Sequence, residues 1–519
     1  MRLIRNFLVL SIFWMLFFGI FRIIFFLFLQ YNAANIQLNE LPSTLFYGIR
    51  LDISATAYIS ALPLLLMLIH ALTENTFIKK LFLVYNGIIL FVLILLHVSN
   101  LFLYRSWGVL INYRALSFLA DWRQMFLSVN NFELIVGIIC IILLFILTWF
   151  VFRKFTKHFF DNKLAIIQSL LQFIVSAAML VIMFRGGVQM LPVNESAAAF
   201  SENVTLNHIA TNPAWHLGHN LNQAKSENAS YYKFYSDAVA EEHVKKLFQT
   251  PIDLMPVLNN KKPNIVIIML ESFTVDVVGS MGGETGVSPT IDSLIHDGLS
   301  FKNIYSSGAR TDQAFVAVLS GFPAQPNQSI MRFPDKTAKL PSLPAELKKQ
   351  GYSTSFYYGG DLDFSNLNTY LVNCGFEQIT GKKKFKQQQL SAKWGAHDEF
   401  VFEKNLNDLN QAKEPFFSVV MTLSSHEPYD IPIQSPFGKD NPNEQFKGSA
   451  WYADHSLGNY LAAAKKEPWF KNTLFVIVAD HGNKIPRDRS YYSHYIRHIP
   501  MVMAGDVVKN IYKNKIKQK

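Results

Sequence analysis

Cysteine is almost absent from this chain of 519 residues, and the two that occur, Cys140 inside an apolar run and Cys374 far from it, exclude a disulfide framework. Topology, not cysteine chemistry, must identify the compartment. Internal repeats and long low-complexity tracts are also missing, which excludes solenoid and biased-linker architectures. Acidic residues are in the minority, 38 against 48 Lys and Arg, for a formal net charge of +10. The basic excess is scattered, and much of it flanks apolar runs, where it sets topology or meets anionic lipid. No nucleic-acid partner is expected. The basic run Lys382–Lys386 and the Lys-rich C-terminal end read as solvated surface.

What the chain has in abundance is apolar surface: 50% of its residues are hydrophobic and 44 are Phe, an unusual composition for a soluble enzyme of this length. Nearly uninterrupted apolar runs at about 7–29, 53–72, 81–103, 134–152 and 164–184 each suit a helix across a ~30 Å hydrocarbon layer. A bundle of five transmembrane helices is predicted over 1–185. The first run follows Arg2 and Arg5 but is too long for a signal-peptide core and lacks a small-residue cleavage site, so it is expected to stay attached. Arg2, Arg5, Lys79, Lys80 and the Arg153, Lys154, Lys157, Lys163 cluster fall on one side, while the loop 30–44 has no Lys or Arg. Arg105, Arg114 and Arg123 lie in the opposite loop and are outvoted by the denser clusters. The expectation is an integral protein of the cytoplasmic (inner) membrane, N-terminus cytoplasmic, with everything after about residue 185 extracytoplasmic. Arg50 and Asp52, entering the second span together, either pair or face a polar cavity, or else reach headgroups and water.

Residues 186–262, opening on Arg185-Gly186-Gly187 and containing short helical patterns such as Ala238 to Leu247, read as a membrane-proximal linker. From there to 519 short β-rich runs alternate with helices: Asn264–Leu270, Ser353–Tyr358, Phe416–Leu423 and Leu474–Ala479 have the look of buried strands. The pattern predicts an α/β domain with a mainly parallel sheet over 263–519.

In open α/β sheets, ligands gather at the carboxyl ends of strands. Glu271 follows the first run, Asp480, His481 and Gly482 the last, and Ser424, Ser425 and His426 the run Phe416–Leu423. Carboxylates and imidazoles on one sheet edge suit a divalent ion such as Zn²⁺ or Mn²⁺. Each alone has an ordinary structural explanation, a helix cap or a satisfied histidine. Their convergence carries the inference. A nucleophile is supplied by Gly308-Ala309-Arg310-Thr311-Asp312, a loop that enters a helix over Gln313–Leu319. There, metal coordination would activate the Thr311 hydroxyl and the helix N-terminus would favour a bound phosphate. Alone, Thr311 reads as an N-cap.

In order and spacing these residues resemble the lipoteichoic acid synthase family, phosphoglycerol transferases of the alkaline phosphatase and sulfatase superfamily. The resemblance covers most of the chain. It rests on the predicted spans, Gly48 through Asp52, Arg185-Gly186-Gly187, Asn264 through Phe273, Gly308 through Asp312, Trp394-Gly395, His426 and Ala479 through Gly482. It implies a sulfatase-like catalytic domain in which Glu271, Thr311, Asp480 and His481 hold one divalent ion, Mn²⁺ first and Zn²⁺ or Mg²⁺ as alternatives. It also implies that Thr311 attacks a membrane phospholipid, typically phosphatidylglycerol, and passes the phosphoglycerol unit to an envelope glycan or polymer. His426 would contact the phosphate or protonate the leaving alkoxide.

The chain departs from that family where polymer-forming members bind glycerol phosphate: Tyr358, Ser365 and Leu367 stand where His, Trp and Arg are expected. A different headgroup pocket follows, for which Gly360-Asp361, Asn366, Trp394 and His397 are the candidates, with Asp361 equally placed to cap a loop. His494 and His498 resemble in spacing the phosphate-binding histidines of phosphoethanolamine transferases, an analogy only. After the run Ile499–Ala504 the chain has fewer residues than that family usually shows, so the domain is expected to be shortened at its C-terminus. A sulfatase is not expected, because no Cys/Ser-x-Pro-x-Arg segment exists. A phosphoethanolamine transferase and a catalytically silent lipid-binding relative remain as alternatives.

Overall fold

The computed structural model describes residues 2–31, 36–113, 116, 131–161, 165–227, 235–248, 255–325, 329–490, 493–513 and 515–517. Arg114, Arg123 and Lys163, used above to orient the spans, lie outside them, as do residues 32–35 of the loop 30–44. The chain divides into two compact units, Met1–Thr250 and Pro251–Lys519.

The first unit is helical: α1 Arg2–Tyr31, α2 Leu41–Thr73, α3 Thr76–Trp107, α4 Asn131–Thr156 and α5 Ile166–Phe184. These five are long and apolar enough to cross a membrane. Aromatic side chains fill the space between them. Trp14, Phe18, Phe82 and Phe152 are fully buried, and Phe13 meets Phe152 edge-on at 5.1 Å. Burial is uneven: half of the most apolar window of α1 is inside the unit, but only 6% of that of α4. α4 leaves an apolar face uncovered by the rest of the unit, as a lipid-facing span would.

Two polar side chains of the second span do not do what their spacing suggested. Asp52 is buried and pairs with Arg22 of α1, which reaches both carboxylate oxygens at 2.5 and 2.7 Å, while Arg50 donates from Nε to the Gly186 carbonyl at 3.3 Å. Successive helical positions 50 and 52 point to different sides, so Arg50 and Asp52 meet different partners. Asn212 also donates to Asp52 Oδ1 at 2.8 Å, and Arg22 Nε donates to the Ile209 carbonyl at 3.1 Å. These residues follow the last span, in α6 Val204–Ala210 and just before α7 Pro213–Glu227. Trp215 of α7 donates to Ser54 Oγ at 3.1 Å. The segment after Arg185-Gly186-Gly187 is thus packed onto the spans. Gly186 is required there: its φ of 68° is left-handed, and a Cβ would sit 2.6 Å from Val193. The last helix of the unit is α8 Asp237–Phe248.

The second unit is built on one sheet of eight strands, β1 Asn264–Leu270, β2 Leu299–Phe301, β3 Ser353–Tyr358, β4 Gln378–Thr380, β5 Phe416–Met421, β6 Thr473–Ala479, β7 Met501–Ala504 and β8 Lys515–Lys517. Their order is 4-3-5-1-6-7-2-8. From β4 to β6 every pairing is parallel, and β7 runs antiparallel to both of its neighbours. The four expected strands are β3, β1, β5 and β6, adjacent at the centre. The nearly continuous apolar content of β1, β5 and β6 reflects cover on both faces. The covering helices include α9 Pro289–Asp297, α10 Thr311–Ser320, α11 Leu367–Asn373, α12 Asp398–Leu409 and α13 Pro442–Ala464. Register sets the site: Met269 pairs with Met421 and Leu270 with Ala479, so β1, β5 and β6 end at one level.

Candidate metal and nucleophile site

Because those three strands end together, the residues that follow them are brought within reach of one another. The Glu271 amide donates to Thr422 Oγ1 at 2.8 Å, and the Asp480 amide continues the ladder to the Leu270 carbonyl at 3.0 Å. Ser272 then turns the chain through a left-handed conformation, φ 53°. In that turn its amide donates to Asp480 Oδ1 at 2.8 Å and its hydroxyl to Glu271 Oε1 at 2.8 Å. A non-glycine residue in this region is strained, and strain of this kind concentrates where side chains must be held for a task.

His481 completes the group. Its Nδ1 lies 2.9 Å from the Gly482 carbonyl, which makes Nδ1–H the donor and turns Nε2 toward Asp480 Oδ2 at 3.4 Å and Glu271 Oε1 at 3.7 Å. One donor atom from each of Glu271, Asp480 and His481 lies within 4.8 Å of the others. Thr311 is the first residue of α10, whose N-cap is Arg310, and its Oγ1 donates to Glu271 Oε2 at 3.1 Å. It does not cap the helix with its side chain. The hydroxyl faces the carboxylates instead.

The electrostatics of the cluster are those of too much negative charge in too little water. Asp480 is 3% exposed and its Oδ2 has no hydrogen-bond partner among the described residues. Burial, followed by the adjacent Glu271 carboxylate, pushes its carboxyl up to about 7. Burial disfavours a charged His481, but the Asp480 and Glu271 carboxylates outweigh it and raise the imidazole above its ordinary value. Asp312, next to Thr311, is also raised by burial, with Arg310 and Arg332 opposing. An orphaned buried oxygen, a second carboxylate, an inward imidazole nitrogen and a hydroxyl form a donor set that fits a divalent cation.

The remaining candidates are distributed around this centre. His426 sits in the turn after β5, its Nδ1 2.8 Å from the Glu427 carbonyl and its ring 5.6 Å from that of Trp394. Trp394 donates to the same Glu427 carbonyl at 2.7 Å. His397 is buried, edge-on to Tyr452 at 5.8 Å, and burial lowers its pKa. Asp361 accepts from the Asp363 amide at 3.0 Å, the loop-capping geometry. Asn366 is buried in a left-handed conformation, φ 63°, with Oδ1 lacking a hydrogen-bond partner among the described residues. His494 is exposed and lies against Tyr495 and Tyr305, while His498 stacks on Tyr305 at 4.8 Å and faces the Lys302 carbonyl. No contact joins His494 to the Glu271 cluster among the described residues.

Sequence inspection missed Asp398. This buried side chain accepts from the Leu423 and Ser424 amides at 2.6 and 3.2 Å and so fixes the turn that carries Ser425 and His426. Burial pushes its carboxyl up to about 6. It follows His397 at the start of α12, where an acidic residue reads as a dipole partner and conceals the longer-range bond. Tyr358, at the end of β3, is likewise buried, and its phenol is raised by burial and then by the Glu271 and Asp480 charges.

Sheet order, strand-end carboxylates and a hydroxyl at a helix start make an α/β domain with one candidate metal and nucleophile centre among the described residues. The model of the Sulfatase family matches residues 263–514. Lipoteichoic acid synthase 2 of Bacillus subtilis (strain 168) is 24% identical over 231 residues, 42% of this chain and 35% of that protein. Phosphoglycerol transferase I of Citrobacter koseri is 22% identical over 215 residues, 38% of this chain and 28% of that protein. A crystal structure of a protein in the alkaline phosphatase superfamily from Vibrio parahaemolyticus superposes with a TM-score of 0.48 at 28% identity, over 55% of this chain and 72% of that one. The chain therefore spans about a third of the length of the curated relatives it matches.

Proposed function

We propose that the unit Pro251–Lys519 is a metal-dependent phosphotransferase. It moves the headgroup of a membrane phospholipid, phosphoglycerol from phosphatidylglycerol in the first instance, to a hydroxyl of an envelope glycan or polymer. The observation that carries this reading is the Thr311 hydroxyl, at the start of α10 and 3.1 Å from Glu271, beside the under-neutralised Asp480 and His481. The names of the relatives, a lipoteichoic acid synthase and a phosphoglycerol transferase, support it. Sulfate-ester chemistry is disfavoured within the same family, because Thr311 occupies the helix start and no Cys/Ser-x-Pro-x-Arg segment is present.

Glu271, Thr311, Asp480 and His481 would hold the ion, Mn²⁺ first with Zn²⁺ or Mg²⁺ as alternatives, which when bound supplies positive charge for the Thr311 alkoxide and the phosphoryl oxygens. Thr311 Oγ1, its own proton first released to solvent, forms a bond to phosphorus, the bond from phosphorus to the diacylglycerol oxygen breaks, and diacylglycerol leaves with a proton. His426 is the group that gives this proton: the Glu427 carbonyl holds Nδ1–H and leaves Nε2 to carry and release it. In the second half the acceptor hydroxyl gives up its proton to the same imidazole, bonds to phosphorus, and the Oγ1 bond breaks. The N-terminal end of α10, where Thr311 is the first residue, favours the anionic phosphoryl group throughout. Asp361, Asn366, Trp394, His397 and His494 are the residues proposed to read the headgroup or acceptor. Membrane spans in the same chain keep the site at a high effective concentration of lipid, with the N-terminus cytoplasmic and the catalytic unit outside.

The test is turnover of labelled phosphatidylglycerol and phosphatidylethanolamine by the purified, Mn²⁺-supplemented chain. Diacylglycerol release that disappears in Thr311→Ala is expected. A folded, metal-loaded protein that turns over neither lipid would overturn the proposal in favour of a silent lipid-binding relative.

A further inference from the structure

Outside the catalytic unit, an open groove of about 420 Å³ runs between α3 and α4 in the span unit, lined by Leu83, Gly87 and Phe91 on α3 and Phe145 and Trp149 on α4. Gly87 opens it. A Cβ there would already lie 3.3 Å from the Trp149 ring, so any larger side chain would fill the space. From Leu83 to Phe91 the groove is about 12 Å long at 1.5 Å per residue, close to the ~15 Å that is half of a hydrocarbon layer.

Helical register then places charge at one end only. Lys79 and Lys80 stand four residues before Leu83 and Val84, and Arg153 four residues after Trp149, so the two stripes that line the groove both end in cations. At the other end, one turn past Phe91 and one turn before Phe145, stand Leu95 and Ile141. Lys79, Lys80 and Arg153 are exposed, and the Arg153 guanidinium rests 6.0 Å from the centre of the Trp149 ring. Asp161, the carboxylate that feels Lys79, already accepts from His158 at 2.6 Å. An apolar slot of one-leaflet length capped by three cations is complementary to a lipid with one anionic headgroup and a straight acyl chain.

We infer that the α3–α4 groove is a binding site for one anionic phospholipid, its acyl chain lying across Gly87 and its phosphate held by Lys79, Lys80 and Arg153. Scattered basic residues at a membrane surface attract anionic lipid in bulk. This site differs in being a single slot whose occupancy depends on an uncharged residue.

The test is native mass spectrometry of the full chain released from nanodiscs of equal phosphatidylglycerol and phosphatidylcholine. Retention of one phosphatidylglycerol per chain is expected, lost at least tenfold both in Gly87→Leu, which fills the slot without altering charge, and in Lys79→Gln/Lys80→Gln/Arg153→Gln. Leucine is a better helix former than glycine, so Gly87→Leu should fold. Thr311→Ala should retain the lipid, which separates this site from substrate at the catalytic unit. No stoichiometric lipid, equal retention of phosphatidylcholine, or retention unchanged by Gly87→Leu would overturn the inference.

Discussion

Asp52 in the span unit and Asp480 in the catalytic unit are both almost fully buried carboxylates, yet they are opposite in character. Asp52 is saturated: Arg22 grips both oxygens and Asn212 adds a third bond. Asp480 shares its neighbourhood with a second carboxylate, and its Oδ2 has no hydrogen-bond partner among the described residues and only the His481 imidazole, 3.4 Å away, beside it. A buried carboxylate that is neutralised in place ties a structure together. One left short of positive charge is poised for something that arrives from outside, and stability is given up for that readiness.

The sharpest way to break this contrast is to neutralise each carboxylate in turn. Asp480→Asn is expected to abolish headgroup transfer, on the order of 10³-fold or more. Metal-free unfolding should show the same variant to be as stable as the parent or more so, since a repulsive buried charge is gone. If the variant instead unfolds several kcal/mol earlier, Asp480 is a structural residue. Asp52→Leu should do the reverse. It leaves Arg22 buried without a counter-charge and is expected to cost about 3–5 kcal/mol, most of it recovered in Arg22→Met/Asp52→Leu. Denaturation of the purified protein in detergent reads both, and equal damage in the single and double variants would refute the pairing argument.

A smaller effect separates the units by what surrounds their apolar side chains. Ile291 of α9 is fully buried, so Ile291→Val should cost about 0.5–1.5 kcal/mol, whereas Ile139→Val on the outward face of α4 should change stability by less than about 0.5 kcal/mol. A further contrast is a pH effect at Asp454, which caps α9 by accepting from the Thr290 and Ile291 amides at 2.9 Å each. Burial pushes its carboxyl up to about 6, against an unfolded value of roughly 3.9. Between those values the folded state holds more protons than the unfolded one. Stability therefore falls as pH rises through that window and is level above it. Asp454→Asn should flatten the slope in a series of melts from pH 4 to pH 7.

Much of this architecture is legible in the sequence because the signals are local. Each apolar run of span length became one helix, and each β-rich run became a central parallel strand with its polar residue at the carboxyl end. Convergence of Glu271, Asp480 and His481 followed from one topological rule. Partners distant in the chain were not legible. Arg22 sits in the middle of an apolar run with nothing nearby to indicate Asp52, and the adjacent Arg50 offered a false partner. The packing of residues 204–219 onto the spans was hidden for the same reason: its polar contacts, Asn212 with Asp52 and Trp215 with Ser54, join positions about 160 residues apart. Asp398 was concealed by a sufficient local role as an acidic residue at a helix start, and Ser272 because nothing in its type announces a left-handed turn.

The central claim concerns one oxygen atom, Thr311 Oγ1, and the most direct measurement is an acid-quenched reaction of the Mn²⁺-loaded chain with head-labelled phosphatidylglycerol, followed by peptide mapping. The account predicts a glycerophosphoryl mass increment on the peptide containing Thr311, absent from Thr311→Ala, which also stops releasing diacylglycerol. Diacylglycerol release that proceeds undiminished in Thr311→Ala, or label carried by a different side chain, would contradict it.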